Sequence, residues 1–217
     1  MTHFDDEFYR DVLAGLAVLD ERPLLRDLLA TITRCDEPRL GAALNANQMA
    51  SKRWLIDALA QSAGTDFADV LVLGGWVGAL SALLLHDPRF AIGRIVSADI
   101  DPRCEAVARS LNATAAAAGR FEARTADMRE IDYRAERFAL VVNTSCEHVA
   151  DFDRWYARVP DGQLLVLQSN DYVACAEHVN CVPSLDAFRL QAPMGETLFE
   201  GARAMRRYTR FMRIGRK

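Results

Sequence analysis

The stretch from Leu71 to Leu85 reads LVLGGWVGALSALLL: a short apolar run breaks at Gly74, Gly75 and Gly78, and an apolar segment of helical character follows. Glycines at a strand-to-helix turn leave room for a ligand to approach the backbone, and the helix behind them offers its N-terminal amides. Asp99 stands 25 residues beyond Gly74, at the end of a second apolar run and next to Ile100. A carboxylate in that place can accept both hydroxyl hydrogens of a ribose. Asp101 competes for the role, although Pro102 behind it suits a helix start. Glycine turn and strand-end acid together point to a nucleoside-bearing cofactor. Nucleotide, flavin and nicotinamide sites share the device, so the pair does not name the ligand.

Two further polar clusters each follow an apolar run: NTSCEH at Asn143–His148 and QSNDY at Gln168–Tyr172. The carboxyl ends of parallel strands form the ligand crevice of an open α/β sheet, so both clusters are expected to face it. Asn143, Glu147, His148, Asn170 and Tyr172 are the candidate catalytic groups, with Glu147 and His148 as bases where a proton must leave. Gln168 and Ser169 line the pocket. The competing reading is local: Thr144 or Ser145 as a helix cap, Asn170 or Asp171 in a turn, and Glu147-His148 as a helix start. Cys175, His178 and Cys181 share a helical face by spacing. A structural zinc site shows a close Cys pair, however, and Pro183 ends any helix here, so no metal is expected. EHVNC instead suggests a lid, with His178 and Asn180 touching substrate. In NANQMASKRW, Gln48, Ser51 and Lys52 are candidates to close on the crevice from an N-terminal cap.

The elements that must position these groups are legible in outline. Phe8, Val12, Leu16 and Leu19 recur at helical spacing, as do Leu24, Leu25, Leu28, Leu29 and Ile32. A third helix carries Met49, Trp54, Leu55, Ile56 and Leu59. From Ala68 the pattern changes to short apolar runs, Val70–Leu73, Ile95–Ala98, Phe121–Thr125, Leu140–Val142 and Leu164–Leu167, separated by helical stretches. Such runs are too apolar for a half-exposed sheet and predict a buried parallel one. Thr197–Glu200 and Tyr208–Ile214, joined through the Arg-rich 201–207, predict an antiparallel hairpin. The expected fold is therefore α/β: a Rossmann-like, doubly wound, seven-stranded sheet with an antiparallel C-terminal hairpin. An N-terminal helical cap (1–64) covers the core (65–217). Arg203, Arg206, Arg207 and Arg210 read as scattered solvated charge.

Composition narrows the partners. The net charge of −4 lacks the basic field that a nucleic-acid binder needs, and 51% apolar residues suffice for one full core. No apolar run approaches the length of a membrane span. Five cysteines without a CxxC pair argue for reduced thiols and a cytoplasmic protein. A small-molecule substrate is expected, with neither nucleic acid nor membrane as partner. Composition leaves oligomeric state open. Lys52 and Lys217 are the only lysines, so a catalytic lysine would be Lys52.

From about Ser51 onward the chain resembles the class I S-adenosylmethionine (SAM) dependent methyltransferases. LVLGGWVG resembles their first motif, with Gly75 and Trp76 in place of the commoner small-residue spacing, and ADIDP resembles the acidic second motif. TADMRE resembles the third, and FALVVNTSCEHV the fourth strand with its loop. The resemblance implies SAM as cofactor, held by Gly74, Gly75, Trp76, Gly78, Asp99 and Ile100. Asp127 and Met128 would meet the adenine, and Asn143, Thr144 and Ser145 would face the donor's amino acid portion. It implies methyl transfer to an oxygen or nitrogen of a small molecule. The same scaffold admits two alternatives: closure of SAM's own amine onto its side chain, giving azetidine-2-carboxylate and methylthioadenosine, or a SAM-binding module without catalysis.

Overall fold

Among the elements described in full, the helices α1 (Pro23–Arg34), α2 (Arg39–Ala43) and α3 (Ala46–Ser62) lead into the sheet. The computed structural model describes residues 11–12, 14–16, 18, 22–35 and 39–217, so most of the helix expected on Phe8, Val12, Leu16 and Leu19 lies outside the described residues. Pro23 opens α1, where its missing N–H would have had no partner, and Asn45 caps α3 by accepting from the Gln48 amide at 2.9 Å. There follow β1 (Asp66–Leu73), α4 (Ala79–His86), β2 (Ala91–Asp99), α5 (Arg103–Leu111), α6 (Ala113–Ala117) and β3 (Phe121–Thr125). Next come α7 (Tyr133–Glu136), β4 (Leu140–Asn143), α8 (Phe152–Arg158) and β5 (Leu164–Asn170). The chain ends with α9 (Leu185–Gln191), β6 (Glu196–Ala204) and β7 (Thr209–Arg216).

The strands form one seven-stranded sheet in the order β3-β2-β1-β4-β5-β7-β6. The first five are parallel; β7 runs antiparallel to both β5 and β6. Period-two alternation sorts the apolar side chains onto two faces. Val70, Val72, Leu140, Val142, Leu164 and Val166 join the layer packed with Leu55, Ile56 and Leu59 of α3. Leu71, Leu73, Val141, Leu165 and Leu167 join the layer holding Phe152, Trp155 and Phe188. Burial on both faces explains why these strands read as unbroken apolar runs.

The described cap helices are tied to the core by side-chain hydrogen bonds, α1 to the helices after β2 and α3 to the sheet itself. On α1, Asp27 accepts from the Thr114 amide at 2.8 Å and from its hydroxyl at 2.9 Å, and Thr31 Oγ1, whose hydrogen goes to the Asp27 carbonyl, accepts from Ser110 Oγ at 2.9 Å. On α3, Ser51 Oγ donates to Gln168 Oε1 at 3.2 Å and Asn47 Nδ2 to Tyr208 Oη at 3.4 Å. Thus α3 closes over the carboxyl end of β5 and the start of β7. Among the described residues no helix is long and apolar enough to cross a membrane.

Candidate functional site

The glycine turn sits between β1 and α4, and its geometry explains its composition. Gly78 caps α4 at φ +77°, and a Cβ there would lie 2.7 Å from Asn112 Nδ2 and 3.0 Å from Ala108 Cβ. A Cβ on Gly75 would lie 2.0 Å from Ser97 Oγ. The sequence suggests that these glycines make room for a ligand; the structure shows that Gly75 and Gly78 make room for β2 and α5. Gly74 meets Ser145 of the β4 loop in the same way, at 2.9 Å from an added Cβ to Ser145 Oγ. Trp76 adopts φ +51°, a conformation costly for a residue with a side chain and typical of functional turns.

Asp99, at the end of β2, faces this turn. Its Oδ2 accepts from the Trp76 amide at 2.8 Å and its Oδ1 from the Asp101 amide at 3.0 Å. Each carboxylate oxygen has a second lone pair to offer, so the group is fixed in direction yet still able to accept from a ligand. Asp101, the competitor, is engaged by Arg39 at 2.6 Å and by Arg103 at 2.8 Å. Ile100 is exposed, an apolar side chain standing free at the sheet end. Beyond β3, Asp127 is half-buried and hydrogen-bonded to the Arg129 guanidinium and amide, and this contact holds its carboxyl below the usual carboxylate range. The Met128 carbonyl accepts from Tyr133 Oη at 2.7 Å, and Asn143 Nδ2 points to Met128 Sδ at 3.6 Å.

At the end of β4, Asn143 is fully buried beside Leu73 and Leu167, and its Oδ1 accepts from the Ser145 amide at 2.9 Å. That bond aims its oxygen at the turn. Cys146–His148 form a single 3-10 turn, close to the helix start that the sequence allowed. Glu147 does not face the crevice as a free base. Its side chain is buried, and its Oε1 accepts from Arg210 Nη1 and Asn170 Nδ2, each at 2.6 Å. Arg210 is therefore not solvated charge: it lies inside the protein, bonded also to the Thr144 carbonyl and, at 3.4 Å, to Gln168 Oε1. The sequence held a signal for it. Arg210, Met212 and Ile214 alternate on one face of β7, and the latter two are core residues.

The β5 cluster is likewise drawn together. Gln168, Ser169 and Asn170 are buried, and Ser169 Oγ lacks a hydrogen-bond partner among the described residues. Tyr172 is half-buried with Tyr208 at 5.7 Å and His178 at 5.8 Å between ring centroids. Tyr208, which sequence reasoning missed, extends this aromatic wall to Asn47 of the cap, and burial pushes its hydroxyl pKa up. Lys52 donates to Gln48 Oε1 at 2.8 Å. Burial, and secondarily the Arg210 charge, lower its pKa to about 8. Trp54 packs edge-on against Phe199 at 6.2 Å, a core contact.

Residues 172–184 turn repeatedly and do not form the helix that the spacing of Cys175, His178 and Cys181 suggests. This segment is fastened by Asn180, whose amide donates to the Glu147 carbonyl at 2.9 Å and whose Nδ2 donates to the Cys146 carbonyl at 3.1 Å. Gln191 takes up its Oδ1. Asn180 thus holds the lid segment in place, and its side chain is fully engaged. His148 is exposed, with Nδ1 at 3.1 Å from the Glu177 carbonyl; His178 is half-buried, with Nδ1 at 2.8 Å from the Tyr172 carbonyl.

No protein-family model and no curated protein sequence matches the chain. Solved structures do. The N-methyltransferase NodS from Bradyrhizobium japonicum WM9, crystallised with S-adenosyl-L-homocysteine, aligns at 16% identity and TM-score 0.62 over 89% of this chain and 96% of its own. MccD aligns at 10% identity and TM-score 0.60, covering 77% and 98%. The [4+2]-cyclase SpnF aligns at 14% identity and TM-score 0.56, covering 73% and 64%. The fold is that of the class I SAM-dependent methyltransferases.

Proposed function

We propose that this chain is a SAM-dependent methyltransferase acting on an oxygen or nitrogen of a small molecule. The observation that carries the reading is Asp99: a half-buried carboxylate at the end of β2, aimed by two backbone amides beside a strained glycine turn, with acceptor lone pairs to spare. The residues present fit SAM. Asp99 would take the ribose hydroxyls, exposed Ile100 and half-buried Met128 supply apolar surface for the adenine, and Asp127, kept ionised by Arg129, can accept from its amino group. Gly74, Gly75, Trp76 and Gly78 would border the amino acid portion as a turn held rigid by its own bonds, the Gly75, Trp76 and Gly78 amides donating to Ala98, Asp99 and Gly75, with Thr144 and Ser145 opposite.

SAM bound here supplies a methyl group carried on an electrophilic sulfonium. The chain's own part is orientation and exclusion of water. Ser51, Gln168 and Arg210 form a buried hydrogen-bonded wall between cap and sheet, while Tyr172 and Tyr208 present aromatic faces. An aromatic face near a cation stabilises it by roughly 0.5–2 kcal/mol. Glu147 is committed to Arg210, which leaves Lys52, with its lowered pKa, as the better candidate to take a proton from an acceptor.

One observation favours the second reading, formation of azetidine-2-carboxylate and methylthioadenosine from SAM alone. Glu147 Oε1 and the Asn170 side chain are bonded within the protein, so an external acceptor gains little from them. Incubating the pure protein with SAM separates the cases. S-adenosylhomocysteine formed only after a small-molecule extract is added supports methyl transfer. Methylthioadenosine with a cyclic amino acid from SAM alone would sink it. Binding of SAM without turnover in either assay would leave a binding module.

A further inference from the structure

A second site lies where the turn after β4 meets the segment after β5. Glu147, His148 and His178, which sequence spacing does not group, each bring one potential ligand atom to within 4.8 Å of the others. The two imidazoles stand edge to face, with centroids 4.6 Å apart and planes at 89°. Glu147 is buried, and while its Oε1 serves Arg210 and Asn170, its Oε2 is sealed from solvent with no hydrogen-bond partner among the described residues. A sealed carboxylate oxygen with no partner is costly unless something binds it.

The histidines are prepared in the same sense. A carbonyl oxygen only accepts, so the contacts of His148 Nδ1 with Glu177 and of His178 Nδ1 with Tyr172 place the proton on Nδ1 in both rings. The neutral imidazole then offers its lone pair at Nε2. A ring fixed through Nδ1 to a backbone carbonyl is the usual support of a metal-bound histidine. We infer that Glu147 Oε2, His148 and His178 form a site for a divalent transition metal ion, zinc or a borderline ion of its class, that clips the lid segment 172–184 to the β4 turn. Two nitrogens and one oxygen suit such ions better than magnesium or calcium, which favour all-oxygen sets. Bond lengths of about 2.0–2.2 Å require the ligand atoms to close up to about 3.5 Å. His148 and its partner Glu177 are both exposed, so the bonded pair can shift together by that amount. Three protein ligands leave a coordination position for water or for a substrate heteroatom. The Arg210 guanidinium on the other carboxylate oxygen opposes the cation and makes the site weaker than a dedicated structural zinc centre.

Cys175 and Cys181 take no part. The thiol of Cys175 contacts Glu177 Oε2 at 3.7 Å and that of Cys181 contacts Asn170 Oδ1 at 3.6 Å. Titration of the chelator-treated full chain with Co(II), followed by its visible d–d absorption and by competition with Zn(II), tests the inference. The expected result is one ion per chain, with affinity reduced about ten- to hundredfold in His148→Ala and in His178→Ala and unchanged in Cys175→Ser. His148→Ala alters an exposed side chain, so it stays informative if a variant at buried Glu147 fails to fold. No saturable one-to-one binding, or affinity equal to the native chain in both histidine variants, would overturn it. S-adenosylhomocysteine affinity, measured on the same samples, reports on the proposed donor site independently of the metal.

Discussion

Arg210 Nη1 donates to Glu147 Oε1 across 2.6 Å, with both side chains nearly closed off from water. The pair joins the last strand of the sheet to the turn after the fourth, two elements separated along the chain by 63 residues. Strand register makes it possible. Arg210 lies directly opposite Asn170 in the antiparallel β5–β7 ladder, and Asn170 reaches the same carboxylate oxygen. The reversed hairpin therefore supplies the cation that fixes the floor of the crevice.

Removing one member of this pair leaves the other buried and uncompensated. Arg210→Met is expected to destabilise the fold by about 3–5 kcal/mol. Replacing both, as Glu147→Gln with Arg210→Met, should recover a substantial part of that loss, because no isolated charge remains. Urea denaturation of the two single variants and the double variant checks this. Additive losses would show that the residues do not act as a pair.

Gly78 offers a test of the turn alone. Gly78→Ala must hold a side chain at φ +77° and press its Cβ onto Ala108 and Asn112. Left-handed strain and overpacking together predict a loss of roughly 2–4 kcal/mol. A loss under about half a kcal/mol would mean that α5 yields and that the turn is not rigid.

The parallel strands are legible in the sequence because burial on both faces leaves little room for polar residues along most of β1, β4 and β5. The glycine turn and Asp99 are legible because backbone conformation and strand-end position restrict the residue types. Side-chain partnership is another matter. Glu147, His148 and Asn170 read as crevice-facing groups, but whether a carboxylate meets a ligand or Arg210 depends on β5–β7 register, which no local pattern encodes. Alternation along β7 points Arg210 inward with Met212 and Ile214; the density of neighbouring arginines points the other way. The helical spacing of Cys175, His178 and Cys181 is likewise overridden by polar bonds at the start of the segment, one local and one to β7: Asn170 Oδ1 accepts from the Tyr172 amide, and Asp171 Oδ1 from the Thr209 amide. These turn the chain away from a helix.

If Asp99 holds the ribose, its loss removes charge-assisted hydrogen bonds worth about 1.5–3 kcal/mol, so Asp99→Ala should weaken S-adenosylhomocysteine about 10- to 100-fold. Asp99→Asn keeps one acceptor oxygen and should fall between. Calorimetric titration, with circular dichroism as the folding control, decides it. Undiminished affinity in a folded Asp99→Ala variant would remove Asp99 from the site.

Lys52 gives a pH signature. Its pKa falls from 10.5 to about 8 on folding, mainly through burial. Between those values the unfolded chain still holds a proton that the folded chain has released, so this group's contribution to stability rises with pH across that window. Below about pH 8 both states are charged, and the folded state bears the whole cost of burying the ammonium. Lys52→Met should therefore be more stable than the native chain near pH 7, with the advantage shrinking toward pH 10. Titrations of other groups cancel in the difference, since both chains carry them. Denaturation of the two proteins at several pH values measures it. An equal stability difference at every pH would show that the Lys52 amine remains hydrated, and would withdraw it as a proton acceptor in the crevice.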